Sequence, residues 1–337
     1  MASLVVPKAM YACSATPCGK RALQSLRAAA GRAIWGLSNS WRAPEILFTL
    51  LCKGHISDPL QVSAYLTFLT ARRVMRRQPH LISKYLEVLN FHREHQYKQY
   101  EDRELGSLFS KGPVAAIMQA CKVANWTLRE DGLGAHHLLE NDVLETGEID
   151  LLEGDEKRFS HVLRASLRQE QWDRVSQRRP SFKHIEVGVD REASMLLYSK
   201  LPGLQRHRLR CLHAGAVASQ VRLARNSRGA QSDLCLACGQ KPETVEHIFA
   251  ECEKYEPQRA VSMNAEYFHN LPMGIKTTGL LPQHFPIPED CGPGLTGRQD
   301  LATRIQYTLL DILGERSKYL PQVPQPRWER QSRQRTR

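Results

Sequence analysis

The stretch Cys235–Cys252 reads CLACGQKPETVEHIFAEC, and within it Cys235, Cys238, His247 and Cys252 stand in a C-x2-C-x8-H-x4-C array. Four nitrogen and sulfur ligands at this spacing suit a tetrahedral zinc ion with metal–ligand distances of about 2.0–2.3 Å, the C-x2-C turn folding backbone amides around one edge. Gly239 follows the second cysteine, where a tight turn is needed. Beyond it the pattern turns helical. Pro242 is placed to open a helix, Glu243 and Glu246 lie in its first turns, and Val245, Ile248, Phe249 and Cys252 repeat at i, i+3, i+4 and i+7. Cys252 is therefore expected on the buried face. His247 and Cys252 are five positions apart, which on an α-helix puts them on different faces. The last turn must tighten or unwind for both to reach one ion, and the helix is expected to end near Cys252. A closed Cys3His set leaves no position for water, so the array argues for folding energy and not for catalysis.

Working outward, the chain has 337 residues, of which 42% are hydrophobic and 24% charged, enough for two or three small units. A net charge of +12 favours a polyanionic partner, most simply nucleic acid. Nine irregularly spaced cysteines read as reduced thiols plus one metal site, which points to a nuclear or cytoplasmic protein that is not secreted. No membrane partner is expected. Pro7 and Lys8 interrupt the apolar start, and the longest apolar run, Ile46 to Cys52, is far short of a span.

The fold is expected to be mainly α, with charge distributed in blocks. Residues 1–129 carry a net +11 and read as a basic helical, thumb-like unit; residues 130–156 carry −10 and read as an acidic, turn-rich linker or small hairpin. Residues 157–230 carry +11 and form a basic helical connector, 231–260 the zinc knuckle, 261–300 a Pro/Gly-rich extended connector, and 301–337 a last helix with an Arg-rich tail. Local signals mark several helix ends: Pro44 with Glu45, Asp58-Pro59 as N-cap and first-turn proline, Pro79 as a stop, and breaks at Pro180 and Pro202-Gly203. An apolar stripe through 206–225 reads as continuous helix, and Trp126 to Arg129 as a short strand.

Two basic groups are candidate nucleic-acid contacts. Lys200, Arg206, Arg208, Arg210, Arg222, Arg225 and Arg228 fall in a stretch without a single acid, and Arg72, Arg73, Arg76 and Arg77 close the third helix. The second group also complements the helix dipole. The knuckle itself holds two lysines against six acids over 231–256, so its role is to lock the fold and aim the arginine-rich helix before it, or to touch bases or protein. His92 and His95 have no second ligand pair and read as a surface helix; Cys13, Cys18, Cys52, Cys121, Cys211 and Cys291 read as isolated thiols. Catalytic residues: none. There is no Asp-Asp pair, no Walker loop, no G-x-S-x-G, no H-E-x-x-H and no convergent carboxylate set for two-metal chemistry.

The run Ala33-Ile34-Trp35-Gly36 with Arg42, Glu45-Ile46-Leu47, Gly54-His55 and Asp58-Pro59 resembles the segment after the polymerase palm in reverse transcriptases of non-LTR retrotransposons. Gly188-Val189-Asp190-Arg191-Glu192-Ala193, Leu209-Arg210 with Ala214-Gly215, and the CCHC array resemble that family's C-terminal region. The resemblance implies a thumb-like helical unit, a connector and a zinc knuckle working beside a polymerase that copies RNA into DNA. The palm with its catalytic aspartates would lie before Met1, so no enzymatic activity is expected of this chain alone, and a separate palm or a retroelement ribonucleoprotein becomes a partner. The rival class is a zinc-stabilised helical scaffold for protein–protein interaction, its basic charge serving solubility.

Overall fold

The computed structural model describes residues 6, 9–10, 12–35, 41–96, 112–137, 147–227, 231–286 and 297–320. Arg228, Cys291, the C-terminal arginines and much of the acidic stretch lie outside the described residues, as does the side chain of His95. The fold is mainly α, with one small sheet among the described residues. The chain divides into two compact units, the first comprising residues 1–191, 214–216 and 282–284, the second the remainder.

In the first unit, α1 (Lys20–Trp35) is followed by α2 (Pro44–Ile46), which widens into a π turn over Leu47–Leu51, then α3 (Gly54–Ser57), α4 (Pro59–Arg77), α5 (Leu81–Gln96) and α6 (Pro113–Ala124). Asp58 caps α4 as its sequence requires, accepting from Leu60 N at 3.1 Å, with Pro59 at the first position. The helix ends at Arg77, two residues before Pro79. Strands β1 (Trp126–Leu128), β2 (Gly134–His137) and β3 (Glu148–Asp150) form an antiparallel sheet in that order, with Leu128 opposite Ala135 and Ala135 opposite Ile149. Thus the acidic stretch, where described, is a sheet within the first unit. Its charge is locally compensated: Arg129 reaches Asp131 at 2.7 Å and Asp150 at 3.1 Å.

Asp155 caps α7 (Glu156–Arg178), which packs against α4 and α6. Where they meet, Phe68, Trp126 and Phe159 form the aromatic centre of the core, with ring centroids 4.8 to 6.5 Å apart. The indole Nε1 of Trp126 donates to Ser166 Oγ at 2.8 Å, so the buried ring keeps its hydrogen bond. After a 3-10 turn over Pro180–Ile185, Val189 bridges Pro282 and Ala43 N donates to Ala214 O at 2.8 Å, which brings two later segments into this unit.

In the second unit, α8 (Arg191–Met195, from Glu192 onward), a 3-10 turn over Leu196–Ser199, α9 (Gly203–His213) and α10 (Gln220–Asn226) precede the CCHC segment. The stretch 206–225, expected as one helix, is two. Gly215 adopts φ +62° and Ser219 caps α10 by accepting from Arg222 N, so the apolar pattern continues across a backbone that does not. After the CCHC segment come α11 (Glu256–Ser262), α12 (Ala265–Asn270), α13 (Met273–Thr278) and α14 (Arg298–Tyr319). Residues 261–300, expected as an extended connector, contain α12 and α13, the latter because Pro272 stands at its N-cap and Gly279 closes it at φ +67°. Ile275, Leu280 and Leu281 bury there. The core of this unit joins Leu209, Phe249, Phe268, Leu301, Ile305 and Leu309, and Cys235 and Cys252 belong to it.

Candidate metal centre

The CCHC segment begins as a hairpin. Leu234 bridges Pro242, Glu243 N donates to Asp233 O at 2.7 Å, and Cys235 N to Lys241 O at 2.8 Å. Gly239 turns the chain at φ +66°, its N–H closing on Cys235 O at 2.8 Å; a Cβ there would meet nothing within 4 Å, so the demand for glycine is conformational. Pro242 therefore sits in the hairpin and not in a helix. The helical turn starts later, at Val245, where the Thr244 hydroxyl accepts from His247 N at 3.0 Å.

The five-residue spacing is resolved by unwinding. Residues His247–Glu251 form a π turn, and Cys252 N donates to His247 O at 2.8 Å, an i to i+5 bond that brings both ligands to one side. The helical turn ends at Cys252. Cys235 Sγ then lies 3.8 Å from Cys252 Sγ, and Cys238 Sγ lies 3.4 Å from His247 Nε2. All four ligand atoms fall within 4.8 Å of one another, with Cys235, His247 and Cys252 buried and Cys238 partly exposed, so this group can hold a metal ion. The two sulfurs of the C-x2-C half and the one sulfur of the π-turn half converge without a disulfide; the three thiols are free.

Burial pushes the thiols of Cys235 and Cys252 up, the latter to about 12. At Cys238 burial also opposes ionisation, but the backbone N–H groups of Gln240 and Lys241 and the His247 ring outweigh it and bring the thiol down to about 6. At neutral pH the first thiolate forms at Cys238, and an incoming cation has to displace protons from the other two.

Three buried charged residues brace the site, and none was singled out by spacing. Glu243, 0% exposed, accepts from Gln220 N at 3.0 Å and from Arg316 Nη2 at 2.6 Å, and its other oxygen faces Leu236 N at 3.4 Å inside the C-x2-C loop. Arg316 also donates to Ala218 O at 2.8 Å. Arg259, 1% exposed, donates from Nε to Phe249 O and from Nη2 to Cys252 O, each at 2.9 Å, and pairs with Glu256 at 2.7 Å. It thus satisfies the carbonyl of Phe249 within the widened turn and joins Tyr255 N on that of Cys252 just after it. A proline-led helix start would have placed Glu243 in solvent; only its pairing with Arg316, 73 positions away, reveals it as buried.

The candidate nucleic-acid residues are distributed more widely. Arg72 is 3% exposed and donates to the carbonyls of Asp150, Glu153 and Gly154 while its guanidinium lies 4.8 Å from the Phe159 ring centroid; it ties α4 to the sheet and α7. Arg76 reaches Gly154 O at 3.2 Å, and Arg73 and Arg77 are exposed. In the second unit Arg206 donates to Leu201 O at 2.8 Å and Arg222 to Val217 O at 2.9 Å, Arg208 and Arg210 are half-buried, and Lys200 and Arg225 are exposed. These six lie on or beside two helices instead of one. No helix among the described residues is long and apolar enough to cross a membrane. No family model, curated protein or solved structure matches the chain.

Proposed function

We propose that the chain is a zinc-stabilised, nucleic-acid-binding C-terminal region of a non-LTR retroelement reverse transcriptase, without catalysis of its own. The observation that carries the zinc reading is the spacing of the ligand atoms. Tetrahedral zinc with bonds of about 2.3 Å to sulfur and 2.0–2.1 Å to nitrogen has edges of about 3.8 Å between sulfurs and about 3.6 Å between sulfur and nitrogen. The Cys235–Cys252 and Cys238–His247 separations of 3.8 and 3.4 Å match those edges. Soft thiolates with one imidazole favour zinc over hard cations such as magnesium or calcium. The four residues would hold the ion as a closed structural site, and its contribution is folding energy for the segment around it.

The nucleic-acid reading is supported by the net charge of +12 and by the exposed Lys200, Arg206 and Arg225. The retroelement reading is supported by the order of motifs from Ala33 to Cys252. Arginines that spend their donors on carbonyls of their own chain, Arg72 and Arg222 among them, are what favours the scaffold alternative. Retention of the full chain on single-stranded and duplex RNA or DNA as salt is raised discriminates the two. Nucleic-acid binding gives a log affinity that falls linearly with log salt; a protein-binding scaffold shows no retention at physiological salt.

A further inference from the structure

Most of the arginines described above are occupied by their own chain, which makes a group of cations in the first unit stand apart. Arg164 and Arg168 lie one turn apart on α7, Arg191 closes the longest segment of the same unit, and Lys53 precedes α3, which packs on α7. The side chains of Lys53, Arg168 and Arg191 make no ion pair or hydrogen bond with any described residue, and the Arg164 side chain spends only its Nε, on Ser160 O at 3.0 Å. Beside them His55 and Tyr65 pair their rings at 5.1 Å and 58°, and the Tyr65 hydroxyl shares a 2.7 Å hydrogen bond with Ser160 Oγ, fixing α4 to α7 at this point.

The charges that act here are all of one sign. Burial, then Arg191 and Arg164, depress Arg168; burial, then Arg164, Arg168 and Lys53, bring His55 down to about 4. No carboxylate offsets the repulsion at either group. Arg164 and Arg168 are half-buried and Lys53 and Arg191 exposed; like charges held together without a counter-charge disfavour one another, and an anion placed among them relieves that cost. With its imidazole neutral at physiological pH, His55 offers a ring face instead of another charge, and Tyr65 offers a second.

We propose that Lys53, Arg164, Arg168 and Arg191, with the His55–Tyr65 ring pair beside them, form a binding site for a single nucleic-acid strand, the cations taking backbone phosphates and the rings an unpaired base. This rests on nucleic acid being the partner and assigns it to a face that neither Lys200–Arg228 nor Arg72–Arg77 includes. The site combines the two elements that single-strand recognition uses, a cationic track and aromatic platforms.

The test is fluorescence anisotropy of the full chain with a labelled single-stranded oligonucleotide and the matching duplex, across a salt series. Replacing Lys53, Arg168 and Arg191 by Ala removes three side chains that hold no hydrogen bond among the described residues, so the melting temperature should match the parent's. The salt slope on the single strand should flatten by about 2, near 0.7 per lost phosphate contact. Arg168→Lys with Arg191→Lys should keep the parental slope. His55→Ala should weaken single-strand binding about tenfold and leave duplex binding unchanged, since only an unpaired base can use the ring. If the parent binds with a salt slope that the triple variant leaves unchanged, this site is wrong while nucleic-acid binding stands. If the parent shows no salt-dependent binding, the proposed function fails first. Loss of binding to phosphatidylserine vesicles in the triple variant, with oligonucleotide binding intact, would assign the cations to a lipid surface and overturn the proposal.

Discussion

Arg316→Met probes how the metal centre is anchored to the rest of its unit. The Glu243 carboxylate is fully buried, and Arg316, its cationic partner among the described residues, is itself nearly so, 2.6 Å away. Removing the guanidinium leaves a buried carboxylate with only backbone donors from Gln220 and Leu236 and leaves Ala218 O without its donor. Breaking a buried pair from one side costs about 3–5 kcal/mol. Because Glu243 faces Leu236 inside the C-x2-C loop, loosening it should also speed loss of metal to a chelator, on the order of tenfold, the lower end for residues that orient ligands. The double variant Glu243→Gln with Arg316→Met keeps an acceptor for Gln220 N and removes both charges, so it should recover more than half of the lost stability. Urea denaturation gives the stabilities and a colorimetric zinc chelator gives the release rates. A loss below about 1 kcal/mol in Arg316→Met, or a double variant whose loss equals the sum of the singles, would refute the reasoning.

Two further outcomes concern His213 and Gly215. His213 is fully buried in the second unit with neither ring nitrogen hydrogen-bonded, and burial brings its pKa down to about 3; the unfolded chain takes up a proton near 6.5 that the folded chain refuses. Its contribution is therefore complete above about pH 6.5 and is lost as pH falls toward 3, at up to about 1.4 kcal/mol per pH unit, and His213→Leu should remove that part of the acid slope measured by denaturation between pH 6.5 and 4.5. Gly215→Ala should destabilise the first unit by about 2–4 kcal/mol in thermal melting, because φ is +62° and the added Cβ would stand 2.8 Å from the Phe182 ring; an unchanged melting temperature would mean that the turn relaxes freely.

Much of the helical layout is written in local chemistry. Asp58-Pro59, Pro44, Pro79 and Pro180 act on their own neighbours through a fixed φ or a capping oxygen, and the structure starts and stops helices at those points. The four ligands were legible for the same reason, since two close pairs constrain the chain locally. Their spacing also required the last turn to change pitch, but not in which direction. That choice is made by the i to i+5 bond at Cys252 together with Arg259, whose guanidinium reaches back to the buried carbonyls of Phe249 and Cys252. Nothing in the pattern of 206–225 announced its division, because Gly215 interrupts the backbone without interrupting the apolar stripe. Nothing in the spacing of Glu243, Arg259 and Arg316 sets them apart from other charged residues; long-range packing removes them from water. Charge counting likewise could not separate Arg72, buried against Phe159, from Arg168, whose side chain has no hydrogen-bond or ion-pair partner among the described residues.

The zinc content of the purified full chain tests the central claim most directly. We expect about one equivalent per chain by elemental analysis after dialysis, and close to none in Cys238→Ser, with the variant losing protection of residues 231–256 in hydrogen exchange. A parent that carries no zinc after exposure to it, or a serine variant that retains as much as the parent, would contradict the account.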